Sequence, residues 1–94
     1  MAVSKQLFPL GLVVATPLAL KELEARGMNP SQLITRHVTG DFGDLCDSDK
    51  LSNLDAIQNG GRILSAYKID SSEKVWVITE HDRSSSTVLM SSEY

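Results

Sequence analysis

The sequence predicts an α+β domain with the element order β-α-α-α-β-β-β. Three segments with helix start and stop signals occupy residues 16–60, and three β-rich runs with short connections follow in residues 62–90. One short apolar run precedes them all. Short connections between β-rich runs indicate an antiparallel meander. We therefore expect an antiparallel sheet that ends in a three-stranded meander, with the helices packed on one face.

The N-terminal apolar run and the first helix meet at Thr16. Residues 10–15 are short, apolar on both sides and include the β-branched Val13 and Val14, which is typical of a buried strand. Thr16 is a good N-cap, and Pro17 suits the first helical position, where no backbone N–H is needed. Gly27 provides the left-handed residue that commonly follows a helix. The pattern predicts a helix that begins at Pro17 and ends just before Gly27.

Two further helices follow the first. Residues 29–32 have the asparagine, proline and glutamine of a capping box, and Gly40 ends this second helix. The third helix begins at Asp47 or Ser48 and ends at residues 59–61, where an asparagine precedes two glycines. We expect its apolar side chains to face the core; they are Leu51, Leu54 and Ile57.

The last third of the chain changes to the period of β-strands. The three β-rich runs are residues 62–69, 74–80 and 86–90. In the middle run, both alternating sets of side chains are largely apolar, so both of its faces are expected to be covered. The middle run is therefore predicted to be a central strand.

Length, composition and charge exclude several classes of function. The 94 residues fit one domain, with residues 1–6 expected to be a flexible N-terminal tail. A net charge of −3 disfavours binding to duplex DNA. The longest apolar run is far shorter than the ~20 residues of a membrane span, so we expect no membrane partner. The single cysteine allows no intramolecular disulfide, which favours a cytoplasmic protein.

Several runs of the sequence resemble a group of short bacterial proteins that are carried by plasmids and other mobile elements. The matching runs are residues 37–45, 61–67, 75–84 and 87–89, together with Asn53, Glu93 and Tyr94. Members of the group are sometimes labelled loosely as subunit M of a type I restriction-modification system. The chain has no room for the nucleotide-binding domain of a methyltransferase, and we expect no cofactor. The resemblance implies a protein of a mobile genetic element, linked to host defence or counter-defence.

An acidic loop follows the second helix. Its acids are spaced three, three and two residues apart, which differs from the spacing of a calcium-binding loop. Acids at the start of a helix are favourable without a metal, so we expect no metal site. The acids are Asp41, Asp44, Asp47 and Asp49. His37 precedes Asp41 by four residues, and is either a general base oriented by that carboxylate or a residue stabilised at the helix end.

A second set of polar side chains lies on the three predicted strands and the loop between two of them. Arginines and hydroxyl groups that gather at one end of a sheet could bind a phosphate or a carboxylate. Alternatively, the loop residues stabilise their own hairpin and the strand residues form cross-strand pairs. The set comprises Arg62, Ser65, Tyr67, Thr79, Asp82, Arg83, Ser84 and Thr87.

These observations favour a small non-enzymatic protein-interaction module. Its partner is expected to be another protein, with a homodimer as a further option, bound through the acidic loop or a sheet edge. The candidate binding residues are Asp41, Asp44, Ser65, Thr79, Asp82, Ser84 and Thr87.

The alternative is a metal-independent ribonuclease, or toxin, that acts on RNA. In broad layout the chain is similar to the barnase/RelE-like toxin nucleases. In such an enzyme a base activates a ribose hydroxyl, and cations stabilise the charge that develops on the phosphate. The candidate catalytic residues are His37, Arg62, Tyr67 and Arg83.

Overall fold

The computed structural model describes residues 6–94. The expected flexible tail falls on residues 1–5, which lie outside the described part of the chain, and on Gln6, which is exposed. The elements follow the predicted order. They are β1 (Leu12–Ala15), α1 (Pro17–Ala25), α2 (Pro30–Val38), α3 (Asp47–Asn59), β2 (Ile63–Lys68), β3 (Lys74–Thr79), β4 (Ser85–Met90) and a 3-10 turn (Ser91–Glu93).

The four strands form one sheet in the order β1-β4-β3-β2. β2 pairs antiparallel with β3, and β3 pairs antiparallel with β4, so the predicted meander is confirmed and β3 is central. The expectation of an antiparallel sheet needs one correction. β1 pairs parallel to β4, with Leu12 opposite Ser85, which makes the sheet mixed. The physical reason is the long crossover of three helices between β1 and the meander, since only such a crossover can join parallel strands.

Side-chain caps begin the first two helices, as the sequence predicts. Thr16 Oγ1 accepts a hydrogen bond from the Ala19 N–H at 3.1 Å. In α2, Asn29 Oδ1 accepts from the Ser31 N–H at 2.9 Å, and Gln32 Oε1 accepts from the Asn29 N–H at 3.3 Å. These bonds satisfy N–H groups that have no partner within the helix. None of the helices in the described part of the chain has the length and apolar character that a membrane crossing needs.

The sheet has one face covered by helices and one open face. Alternate residues of β2, β3 and β4 point to the covered face, where α1 and α2 pack over Tyr67, Val75, Val77, Val88 and Met90. A second apolar cluster joins Phe8, Val38, Phe42 and Ala56 to Ile63 of β2. The open face carries Trp76 and Leu64, and the C-terminal Tyr94 lies against Trp76 with ring centroids 4.9 Å apart.

The expected inward face of α3 is confirmed for Ile57, which packs against the second apolar cluster, and is wrong for the two leucines. Leu51 and Leu54 are 65% and 49% exposed, whereas Asn53 and Ala56 are buried. The helix lies beside β2, which is the edge strand on the side of the sheet opposite to β1. There the Asn53 side chain donates to the Leu64 carbonyl at 2.7 Å and accepts from the Leu64 N–H at 3.1 Å. Because the sheet edge needs hydrogen bonds more than apolar contacts, a polar residue takes the inward position.

Candidate functional site

His37 lies in a chain of buried hydroxyl groups on the covered face of the sheet. Its Nδ1 is 2.6 Å from Ser65 Oγ, and its Nε2 is 2.9 Å from Thr79 Oγ1. Thr79 Oγ1 is in turn 2.7 Å from Ser86 Oγ, which donates to the Leu10 carbonyl at 2.7 Å. The four residues whose side chains form this hydrogen-bonded chain are each 0% exposed; they are His37, Ser65, Thr79 and Ser86. His37 was a candidate base, and Ser65 and Thr79 were candidate binding residues; the structure places these three together.

The direction of the donors along this chain follows from its last bond. The Ser86 hydroxyl donates to a carbonyl, so its oxygen accepts from Thr79, whose oxygen accepts from Nε2–H of His37. Nδ1 then accepts from the Ser65 hydroxyl, and both ring nitrogens of a neutral imidazole are occupied. Burial lowers the pKa of His37 from 6.5 to about 4. This neutral, enclosed imidazole has no nitrogen to offer a substrate, so its geometry is that of a core residue.

Tyr67 and Asp41 meet just beyond the end of α2. The Tyr67 hydroxyl donates to the Asp41 carbonyl at 2.7 Å, and burial raises the pKa of Tyr67 to about 12. The Arg36 guanidinium lies 4.4 Å from the centre of the Tyr67 ring and donates to the Asp41 carboxylate at 2.7 Å. This contact lowers the pKa of Asp41. Asp44 accepts from the Lys68 N–H at 3.0 Å. These residues order the loop.

Arg83 ties the β3–β4 loop to the end of α3. Its Nη1 donates to the Gly61 carbonyl at 2.6 Å and the Glu80 carbonyl at 3.0 Å, and its Nη2 donates to the Ala56 carbonyl at 2.7 Å. Its neighbour Asp82 accepts from the Ser84 N–H at 3.0 Å. The donors of Arg83 are therefore directed at backbone carbonyls within the fold.

Arg62 and Thr87 lie on the side of the sheet opposite to His37. The Arg62 guanidinium donates to the Tyr94 hydroxyl at 3.1 Å and to Glu80 at 3.4 Å. With Trp76, Ile78 and Leu64 it lines a shallow pocket of about 240 Å³ on the open face. Thr87 pairs with Ile78 on the same face. Of the four residues considered for RNA cleavage, Arg62 lies on the open face, His37 and Tyr67 are buried on the covered face, and Arg83 donates to backbone carbonyls.

No group of three His, Cys, Asp or Glu side chains is placed to hold a metal ion in the part of the chain that the structure describes. Asp41 and Asp44 are each committed to a bond with another part of the fold, Asp41 with Arg36 and Asp44 with the Lys68 N–H. Cys46 is exposed and precedes α3.

The exposed feature that the fold does not explain is strand β1. The expectation of a buried strand at residues 10–15 is wrong, because β1 is the first strand of the sheet. Leu12, Val13 and Val14 are 68%, 46% and 39% exposed. β1 lacks the lysines, prolines and bulges that usually protect an edge strand. We call residues 12–15, with their outward backbone groups, the open edge.

The outward backbone groups of the open edge belong to Val13 and Ala15. Leu12 and Thr16 donate their N–H groups to the carbonyls of Ser84 and Val88 in the parallel ladder, at 3.0 and 2.9 Å. Residues alternate between the two sides of a strand, so Val13 and Ala15 direct both N–H and C=O away from β4. Among residues 6–94 these groups have no hydrogen-bond partner.

The opposite edge of the sheet, at β2, is closed by the chain itself. Asn53 bonds both backbone groups of Leu64, and the Phe42 carbonyl and Asp44 N–H bond those of Ala66 at 3.1 and 2.7 Å. Asp44 Oδ2 also accepts the Lys68 N–H. We call this the closed edge. The two edges of the same sheet therefore differ. The closed edge has the outward groups of Leu64 and Ala66 and the Lys68 N–H bonded internally, whereas the outward groups of Val13 and Ala15 have no partner among residues 6–94.

Leu12, Val13 and Val14 were not among the predicted binding residues, although all three are exposed. An apolar run with a β-branched centre predicts a strand, but the run itself does not indicate whether that strand lies inside the sheet or at its edge. One usable signal was length, since short strands are common at edges. The other was Thr16-Pro17, which limits the strand on its C-terminal side.

Comparison of the chain with protein-family models, with curated proteins and with solved structures finds no match.

Proposed function

We propose that this protein is a non-enzymatic protein-interaction module that binds an extended strand along its open edge. The observation that supports the proposal is the contrast between the two edges of the sheet. Free N–H and C=O groups at an edge bind a further strand, and the pockets between alternate side chains add selectivity. The exposed Leu12 and Val14 lie on the open face and Val13 on the covered face, so a bound strand would gain apolar contacts on both faces.

The internal hydrogen bonds of two candidate catalytic residues, His37 and Arg83, agree with this proposal. His37 is neutral and fully buried, and Arg83 donates to the fold's own carbonyls. We also propose that this protein belongs to a mobile genetic element, and the support for this is the sequence resemblance alone. The acidic loop is a weaker docking surface, since Asp41 and Asp44 already hold Arg36 and the Lys68 N–H.

Site-specific photo-cross-linking in the native cells tests the proposal. A photoreactive amino acid replaces Leu12 at the open edge or, as the matched control, exposed Lys68 at the closed edge. We expect a cross-link from position 12 that maps to one short extended segment of a protein, and none from position 68. The reason is that only the open edge has free backbone groups for a strand.

A second variant makes this test specific for strand binding. Val13→Pro removes an N–H that faces away from β4, so the sheet within the chain keeps its hydrogen bonds while the bound strand loses one. The position 12 cross-link should disappear in this variant. Equal cross-linking from both positions, or a position 12 cross-link that Val13→Pro leaves unchanged, would contradict the proposed function.

A further inference from the structure

We propose that the open edge binds a second copy of this chain, so that two β1 strands pair antiparallel about a two-fold axis and join two sheets into one. The inference rests on the proposed function, because it names the partner for the same edge. Three features of the described residues support it: the register of the free backbone groups of β1, the absence of charged side chains around β1, and the difference between the open edge and the closed edge.

The free backbone groups of β1 are self-complementary. In an antiparallel ladder, two opposite residues whose N–H and C=O both face inward exchange two hydrogen bonds. When Val13 of one copy lies opposite Ala15 of the other, the two-fold axis repeats the pair and all of their outward groups are bonded. Val14 then faces Val14 of the second copy across the axis. The paired segment ends at Pro17, which has no N–H to donate.

The side chains along this pairing are compatible with themselves. Residues 6–20 contain no charged side chain, although the chain as a whole carries a net charge of −3. In the register above, Leu12 lies opposite Thr16 and Val13 opposite Ala15, so no like charges meet across the strands. Val14 and Leu12 lie on the open face in each copy, which gives one continuous apolar strip across the axis.

The closed edge limits the assembly to two copies. A sheet with two open edges could add strands without end, whereas this chain has one open edge and one whose outward groups are bonded by Asn53, Phe42 and Asp44. Pairing of open edge with open edge is an isologous contact, and it closes on itself. A dimer is therefore the assembly that this pair of edges allows.

Sedimentation equilibrium of charge variants at the axis tests the inference. Val14→Lys and Val14→Glu each place two like charges against one another in a homodimer, because residue 14 meets itself. We expect the wild type to have twice the monomer mass, each variant alone to have the monomer mass, and their equimolar mixture to regain twice the monomer mass. Leu54→Lys is the matched control, since it makes the same kind of change at an exposed leucine of α3 and should stay dimeric.

Several outcomes would overturn the inference. A monomeric wild type would do so, as would a dimer that Val14→Lys leaves intact or a mixture of the two variants that stays monomeric. Val13→Pro provides a second disruption without added charge, in case a charged residue unfolds the strand. Failure here is distinguishable from failure of the proposed function. A monomeric wild type whose position 12 cross-links to a different protein removes the second copy and leaves strand binding intact, while no cross-link at all removes both.

Discussion

Between pH 7 and pH 4, His37 alone is expected to lower the free energy of unfolding by about 3 kcal/mol. The unfolded chain binds a proton at His37 below its ordinary pKa of 6.5, whereas burial keeps the folded pKa at about 4. The proton is therefore bound more tightly by the unfolded state, and stability is lost as the pH falls from 6.5 towards 4. Urea unfolding at a series of pH values measures the loss.

Two glutamine variants separate the contribution of His37 from that of the carboxyl groups, whose ordinary pKa values lie near 4. His37→Gln removes the buried imidazole, so its stability should vary less with pH than that of the wild type between pH 6.5 and 4. His81→Gln is the matched control, because His81 is exposed and is the only other histidine of the chain. It should retain the wild-type slope. A His37→Gln profile parallel to that of the wild type would show that His37 is not held neutral by burial.

Arg83→Ala is expected to lower the free energy of unfolding by about 3 kcal/mol. The substitution leaves the carbonyls of Ala56 and Gly61 without the charged donors that now lie 2.7 and 2.6 Å away. It also detaches the β3–β4 loop from the end of α3. Thermal or urea unfolding of the purified variant measures the effect.

The backbone of Arg83 allows a finer comparison. Its φ of 61° lies in the left-handed region, which costs a non-glycine residue about 1 kcal/mol relative to glycine. Arg83→Gly should therefore be more stable than Arg83→Ala by about that amount. Arg62→Ala is the matched control, since Arg62 forms an exposed ion pair with Glu80 and its loss should cost less than about 1 kcal/mol. Equal losses for Arg62→Ala and Arg83→Ala would refute the structural role given to Arg83.

Features that depend on near neighbours in the chain could be predicted from the sequence. The caps at Thr16 and Asn29 and the stops at Gly27 and Gly60 depend on hydrogen bonds and dihedral angles within a few residues, and they are confirmed. The meander follows from short connections. The inward face of α3 depends on which strand lies alongside, and no local pattern contains that information. The edge position of β1 was indicated only by the shortness of the strand and by Thr16-Pro17.

The candidate site shows the same division. Alternation along the strands can place Ser65 and Thr79 on one face, but their contact with His37 could not be anticipated. Nor could their complete burial, since it depends on how α2 packs across the sheet. The burial of Asn53 could not be anticipated either. A polar residue between Leu51 and Leu54 suggests a position exposed to solvent, yet the Asn53 amide bonds both the N–H and the C=O of Leu64.

Amide hydrogen exchange of Val13 and Ala15 tests most directly whether the open edge binds a strand. Both N–H groups point away from β4, so they exchange quickly unless another strand accepts them. We expect both amides to be protected in the associated wild-type protein and to exchange quickly in monomeric Val14→Lys, while the Ala66 amide, bonded to the Phe42 carbonyl, stays protected in both. Fast exchange of Val13 and Ala15 in the associated protein would place binding elsewhere and contradict the account.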